Sequence, residues 1–162
     1  MNTDVNTNVN SHVNSNTHSN THTNAIGAGD IGREIAVDVD QFVDRYIAVW
    51  NETDPVARRR RIAEVWAADA VELTPEARYQ GLEALEERVT SAHNQLVRDG
   101  GYLFHSAGDA TAHHGAVSFT THMIPSAGGD IAWTGRTFAA LDEDRRIRYE
   151  YQFTVDLTKA PA

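Results

Sequence analysis

The apolar residues of this chain change their spacing once, at the pair Gly100-Gly101, and this change limits the possible folds. Before the pair, apolar side chains recur every three or four positions, as on one face of a helix, in stretches that begin near Val39, Pro55 and Leu82. After it, short apolar segments alternate with clusters of Gly, Pro and Asp, as strands do. Helices followed by strands predict an α+β domain, with three N-terminal helices on one face of an antiparallel sheet.

The boundaries of the predicted elements follow from local signals. The second helix begins with Asp54 as N-cap and Pro55 at its first position. The third helix follows Gly81 and is stopped by Gly100-Gly101. The predicted strands cover residues 71–74, 102–106, 110–114, 116–124, 131–141 and 147–155.

The N-terminal segment differs in composition from the rest of the chain. Its first 24 residues contain eight Asn, five Thr, three Ser and three His. Such a low-complexity segment lacks the large apolar residues that offset the entropy of ordering, so disorder is predicted. With a glycine-containing linker, the tail covers residues 1–32. A single domain is then predicted over 33–157, followed by a flexible C-terminus at 158–162.

Composition excludes several function classes. The 162 residues include no Cys, which excludes disulfide scaffolds, thiolate metal sites and Cys nucleophiles. No apolar run approaches the roughly 18 residues of a membrane span, and the N-terminus lacks the features of a secretory signal. A net charge of −9 disfavours binding to a phosphate backbone. A cytoplasmic protein with neither nucleic-acid nor membrane partners is therefore predicted.

Three segments carry a resemblance to a known family. They are residues 44–51 (DRYIAVWN), 67–75 (AADAVELTP) and 144–153 (DRRIRYEYQF). Together with the order of elements, they resemble the SnoaL-like branch of the nuclear-transport-factor-two-like superfamily, which includes polyketide cyclases and ketosteroid isomerases. The resemblance implies a cone, in which a curved sheet and three helices enclose an internal pocket. It also implies a homodimer through the convex face of the sheet.

Tyr46 is the first candidate catalytic residue. It lies in the apolar stripe of the first helix, where it is either a core tyrosine or a hydrogen-bond donor to a ligand carbonyl. The resemblance favours the donor role, because residues 45–51 match the string around the oxyanion-stabilising tyrosine of ketosteroid isomerases. The same alignment puts Thr74 and Thr137 where those enzymes have aspartates. A threonine cannot act as a general base near neutral pH, so a steroid-isomerase mechanism is not expected.

His93 and Glu150 are the candidates for proton transfer. His93 lies at the margin of the apolar stripe of the third helix, where an imidazole titrates near neutrality. For the last predicted strand, the sequence does not decide which of its two faces points inward. Burial alone predicts that its aromatic positions, Tyr149 and Tyr151 among them, face inward. The resemblance to limonene-type epoxide hydrolases instead puts Gln152, and with it Glu150, in the pocket.

The remaining candidates are predicted to hold the substrate. Large apolar side chains are expected to line the pocket or the core, and the hydroxyl and amide groups to position substrate or water. The predicted substrate-binding residues are Trp50, Trp66, Thr74, Phe119, Thr121, Trp133, Thr137 and Gln152. His113 and His114 point to opposite faces of a strand, and no carboxylate is spaced to complete a zinc site with one of them and His122, so no metal site is predicted. No cofactor is predicted either.

These predictions define three candidate functions. The first is a cofactor-free cyclase, isomerase or dehydratase of secondary metabolism, acting on a hydrophobic small molecule that carries a carbonyl group. The second is a non-catalytic module for ligand binding or dimerisation, which the two threonines at the aligned carboxylate positions favour. The third is an epoxide hydrolase, which Gln152 disfavours because an amide cannot take a proton from water.

Overall fold

Helices form the first layer of the fold. The computed structural model describes residues 28–156, with side chains from Val39 onward. It contains helices α1 (Ala28–Asn51), α2 (Pro55–Val65) and α3 (Gly81–Ala92), and α3 continues as a π-helical stretch over His93–Arg98. The helix α1 therefore begins within the segment predicted to be a linker. Residues 1–27 of the predicted tail and linker, and the predicted C-terminus at 158–162, lie outside the described residues.

The start of α2 follows the sequence signal. The carboxylate of Asp54 accepts a hydrogen bond from the backbone N–H of Ala57 at 2.9 Å, and Pro55 occupies the first turn. At the end of α1, the Asn51 side chain both donates to and accepts from the backbone of Phe104, at 2.8 and 2.9 Å. This pair of bonds fixes the helix end against the third strand.

The second layer is a curved, open sheet of seven strands in the described residues. The strands are β1 (Trp66–Leu73), β2 (Arg78–Gln80), β3 (Tyr102–Ser106), β4 (Thr111–His113), β5 (Ala116–Pro125), β6 (Trp133–Leu141) and β7 (Ile147–Thr154). They are ordered β2-β1-β7-β6-β5-β3, and β4 also pairs with β5.

The sheet is mixed, which corrects the prediction of an antiparallel one. Strand β1 pairs in parallel with β7, whereas the other pairs are antiparallel. A parallel pair needs a long crossover, and here the connection includes α3 and most of the sheet. β1 also begins at Trp66, earlier than predicted, and its pairing with β7 is irregular between Trp66 and Val71. The short strand β2 was not predicted.

The core lies between the helices and the inner face of the sheet. Its centre is a set of side chains with at most 1% exposure: Tyr46, Val49, Ile62, Trp66, Leu85, Val89, Phe119 and Ile147. The aromatic rings pack at angles, with 4.9 Å between the centroids of Tyr46 and Phe119 and 5.4 Å between those of Tyr46 and Trp66.

The outer face of the sheet carries exposed apolar side chains. They are Phe138, Tyr149, Tyr151, Phe153 and Val155, each 37–52% exposed. The prediction from burial alone that the tyrosines of β7 face inward is thus wrong, and Glu150 is fully buried instead. In residues 28–156, none of the helices has the length and apolar character to span a membrane.

Candidate functional site

A cleft of about 310 Å³ opens between α3 and the inner face of the sheet. Four of the predicted substrate-binding residues line it: Trp50, Thr121, Trp133 and Gln152. The other lining residues are Glu76, Arg88, Ala92, Leu96, Phe104, Met123 and Thr154. A concave, mainly apolar surface with a few polar groups is the usual form of a small-molecule site.

The other four predicted substrate-binding residues lie away from the cleft wall. Thr74 closes the turn between β1 and β2, where its hydroxyl accepts a hydrogen bond from the N–H of Ala77 at 3.1 Å. Phe119 and Trp66 pack on the ring of Tyr46 inside the core. Thr137 is buried, and its hydroxyl opposes part of the rise in the pKa of Tyr46.

Tyr46 and Glu150, predicted from different parts of the chain, meet in the core. The Tyr46 hydroxyl donates to Glu150 Oε1 at 2.5 Å, and the Trp66 indole N–H donates to Glu150 Oε2 at 2.9 Å. Both side chains are essentially inaccessible. Gln152, the next inward-facing residue of β7, lines the cleft about 7 Å further along the strand. The Glu150 carboxyl therefore lies below the cleft wall, one inward-facing position along β7 from Gln152.

A second carboxyl lies beside Glu150. Glu72 is the register partner of Glu150 in the parallel β1–β7 pair, and its side chain is also fully buried. Neither of its oxygens has a hydrogen-bond partner in the described residues, and the nearest cation is Arg88, whose Nη2 lies 3.6 Å from Glu72 Oε1. The two strands thus bring two carboxyls together beneath the cleft.

Burial dominates the protonation of this pair. It raises the pKa of Glu150 to about 8, with repulsion from Glu72 adding to the rise. Burial also raises the pKa of Glu72, against the attraction of Arg88. The pKa of Tyr46 is raised by burial and then by the adjacent Glu150. Near neutral pH, the two carboxyls therefore hold a proton between them, and Tyr46 remains a hydrogen-bond donor.

The Arg88 side chain connects the carboxyl pair to the cleft. Its guanidinium lies over two rings, 5.2 Å from the centroid of Trp50 and 5.4 Å from that of Tyr79. Its Nη2 is 3.5 Å from Gln152 Oε1, at the limit of a hydrogen bond. Arg88 lines the cleft and is 21% exposed.

His93 lies elsewhere. Its side chain is 4% exposed, and it is absent from the wall of the cleft. Burial lowers its pKa, and the positive charge of Arg58 lowers it further. Neither ring nitrogen has a hydrogen-bond partner of good geometry in residues 28–156. The structure therefore does not bring His93 together with Tyr46 and Glu150.

Sequence reasoning missed Glu72 and Arg88. A weak signal for Glu72 was present, because Val71-Glu72-Leu73 has the same pattern as Tyr149-Glu150-Tyr151, a carboxylate between apolar neighbours on a strand. Alternation assigns such a glutamate to solvent. Only the parallel pairing of β1 with β7, which the sequence did not indicate, places both carboxyls on the inner face.

Comparison with known proteins supports the fold. No protein-family model and no curated protein matches the sequence. Among solved structures, a candidate isomerase of the SnoaL-like family from Agrobacterium tumefaciens is similar, with 23% identity, a TM-score of 0.67, and coverage of 74% of this chain and 99% of the other. A candidate polyketide cyclase from Sinorhizobium meliloti has 19% identity and a TM-score of 0.55 over 72% and 97% of the two chains.

A third similar structure is a SnoaL-like protein of unknown function from Burkholderia thailandensis. It has 15% identity and a TM-score of 0.56, with coverage of 74% of this chain and 97% of the other. The chain thus has the fold of the SnoaL-like, nuclear-transport-factor-two-like superfamily, as its sequence motifs predict. At these identities the likeness concerns the fold, and the chemistry has to be argued from the site.

Proposed function

We propose that this protein is a cofactor-free enzyme that isomerises, cyclises or dehydrates a hydrophobic small molecule carrying a carbonyl group. The observation that carries the proposal is the pair Glu72–Glu150, fully buried and opposite each other on adjacent strands beneath an apolar cleft, where burial raises the pKa of both carboxyls. These reactions share one requirement, the transfer of a proton to or from a carbon or oxygen next to a carbonyl. A carboxyl whose pKa lies near the working pH suits that task.

In this proposal the substrate occupies the cleft within the cone that the resemblance implies. Its carbonyl end points toward Gln152 and Trp50. The proton passes between the substrate and the carboxyl pair through a water molecule, because neither carboxyl lines the cleft. Tyr46 and Trp66 hold Glu150 through both of its oxygens. Tyr46 therefore acts through Glu150 and not directly on the substrate oxygen. This changes the role expected from the ketosteroid-isomerase string.

A general test of proton transfer is hydrogen–deuterium exchange next to the carbonyl of a ketone. The full chain would be incubated in D₂O with a panel of bicyclic ketones, such as 1-tetralone and 2-indanone, and followed by proton NMR. We expect exchange above the buffer rate, reduced by roughly 100-fold or more in Glu150→Gln. Tyr46→Phe should reduce it less, because the carboxyl remains.

The matched control is Tyr151→Phe, which removes a hydroxyl from the outer face of the same strand and should leave exchange unchanged. Exchange at the buffer rate for the whole panel, or at the wild-type rate in Glu150→Gln, would contradict the proposed chemistry.

A second candidate is a non-catalytic module that binds a hydrophobic small molecule. The observation in its favour is that Tyr46 and Trp66 already satisfy both oxygens of Glu150, and that neither Glu150 nor Glu72 reaches the wall of the cleft. This candidate predicts ligand-induced thermal stabilisation without exchange of ketone protons in the same panel.

We also propose that the protein forms a homodimer through the outer face of the sheet. The support is the exposed apolar set Phe138, Tyr149, Tyr151, Phe153 and Val155, in which the rings of Phe138 and Phe153 pack edge to face. Light scattering should give twice the chain mass for the wild type and the chain mass for Phe153→Arg. A monomeric wild type at micromolar concentration would contradict the dimer.

A further inference from the structure

The cleft contains one cationic side chain among apolar walls. Its lining includes five large apolar residues: Trp50, Leu96, Phe104, Met123 and Trp133. Among the lining residues, which all lie in the described part of the chain, Arg88 is the only base and Glu76, exposed at the rim, is the only acid. A ligand that fills this cleft therefore meets a positive charge at one place only.

The Arg88 guanidinium has unused hydrogen-bonding capacity. It carries five N–H donors. Within residues 28–156, its polar contacts are a carboxylate oxygen at 3.6 Å and an amide oxygen at 3.5 Å, both at or beyond the limit of a hydrogen bond. Two aromatic rings hold the guanidinium in place, that of Trp50 on α1 and that of Tyr79 on β2. A planar donor group that is held in position but under-used is suited to a bidentate acceptor.

The positive charge of Arg88 also has no carboxylate within hydrogen-bond distance in residues 28–156. Glu72 is its partner, but this carboxyl shares a buried environment with Glu150 and makes no hydrogen bond in residues 28–156. An anionic oxygen that entered the cleft would meet the guanidinium, because Arg88 lines the cleft. The surrounding apolar walls would strengthen that attraction, since they exclude water.

We propose that the cleft binds amphipathic acids, with Arg88 as the specificity-determining residue that holds the carboxylate while the apolar walls hold the hydrocarbon body. This inference rests on the proposed function and narrows its substrate class: a hydrophobic carbonyl compound that also carries an acidic oxygen. Arg88 holds the acidic group, and the carbonyl lies toward Gln152.

The test compares acids with neutral analogues of the same shape. Binding of 2-naphthoate and 2-naphthamide to the full chain would be measured by calorimetry near pH 7.5, and octanoate and octanamide would serve as an aliphatic pair. We expect the acid of each pair to bind at least tenfold more tightly than its amide. Arg88→Met should remove this preference, and Arg88→Lys should keep part of it, because the charge remains without the planar fork.

The matched control is Arg59→Met, which removes an arginine that is paired with Glu86 on the exposed side of the same helix layer. This variant should keep the full preference for acids. Because Arg88→Met leaves Glu72 without a cation, the same change would also be made together with Glu72→Gln, and far-ultraviolet circular dichroism would check folding.

The inference fails if the amides bind as tightly as the acids, if Arg88→Met keeps the preference, or if neither pair binds at millimolar concentration. These outcomes are independent of the ketone-exchange assay. Acid-selective binding without ketone exchange would support this inference and reject the proposed enzyme. Ketone exchange without a preference for acids would support the proposed enzyme and reject this inference.

Discussion

The stability of the folded chain should decrease as the pH rises from about 6.5 to about 9. The pKa of Glu150 is about 8 in the fold against 4.5 for an ordinary glutamate, because of burial and the adjacent Glu72. The folded chain therefore retains a proton that the unfolded chain has already lost. The free energy of unfolding is highest at the lower end of this window and falls as the pH rises through the folded pKa.

The size of this effect follows from the two pKa values. Each pH unit over which only the folded chain holds the proton changes the free energy of unfolding by up to about 1.4 kcal/mol. Integrated over the window, the loss is about 2 kcal/mol, which for a folded unit of this size lowers Tm by roughly 5–10 °C. The window begins near pH 6.5, where the charging of His93 in the unfolded chain contributes at most about 0.4 kcal/mol of opposite sign.

Urea unfolding at several pH values, followed by tryptophan fluorescence, would measure this loss. Glu150→Gln keeps an oxygen acceptor but cannot ionise, so most of the pH dependence should disappear, and the variant should be more stable than the wild type at the upper end of the window. Glu83→Gln, on the exposed side of α3, is the control and should keep the wild-type slope. A wild type whose stability is flat or rises over this window would refute the reasoning.

Three further predictions concern other parts of the chain. The pKa of His93 is lowered by burial and by Arg58, so the unfolded chain takes up a proton at higher pH than the folded one and stability falls below about pH 6.5; His93→Leu should flatten this acid limb in urea titrations. In Gly135→Ala, the new Cβ would clash with the Trp133 ring, so the ring must leave its place, with a loss of about 1–3 kcal/mol in the free energy of unfolding and weaker binding of naphthoate. Asn51→Ala removes both hydrogen bonds to the β3 backbone and should lower the free energy of unfolding by about 2 kcal/mol.

The helices could be predicted from sequence because their signals are local. The N-cap at Asp54, the proline that follows it and the glycine at the start of α3 act within one turn, and the structure places the beginning of a helix at each of these signals. The strand β3 was predicted with its observed bounds for the same reason, since Gly100-Gly101 precedes it and a polar cluster follows it. Within the candidate site, the local string around Tyr46 located a residue that the structure places next to Glu150.

Which face of β7 points inward could not be predicted from hydrophobicity, because this strand buries a charged residue and exposes its aromatic ones. Its aromatic residues face outward at 45–52% exposure, whereas Glu150 is fully buried. Alternation shows which residues share a face, but it does not show which face is the inner one when a charged group is buried. The family resemblance supplied that information, because it placed Gln152, and therefore Glu150, on the inner face.

The carboxyl pair depends on a pairing between distant segments. Glu72 and Glu150 are directly opposite each other because β1 and β7 run parallel and in register from Val71 onward, after an irregularity that follows Trp66. A slip of one residue in either strand would turn one carboxyl to the outer face. The irregular segment of β1 therefore sets the register that creates the site, and nothing in the local sequence shows that register.

This pair also weakens the fold that contains it. Two carboxyls are buried on adjacent strands, and only Glu72 has a contact to Arg88 within ion-pair distance in the described residues, a long one of 3.6 Å. Such an arrangement is less favourable than apolar side chains of similar size. At the same time, the aromatic rings on the outer face of β7 are about half exposed to solvent, so they contribute little to the stability of the folded chain. A chain organised for stability alone would have the opposite phase in β7. The inverted phase is what is expected if the inner face serves proton transfer or ligand binding and the outer face serves association with a second copy.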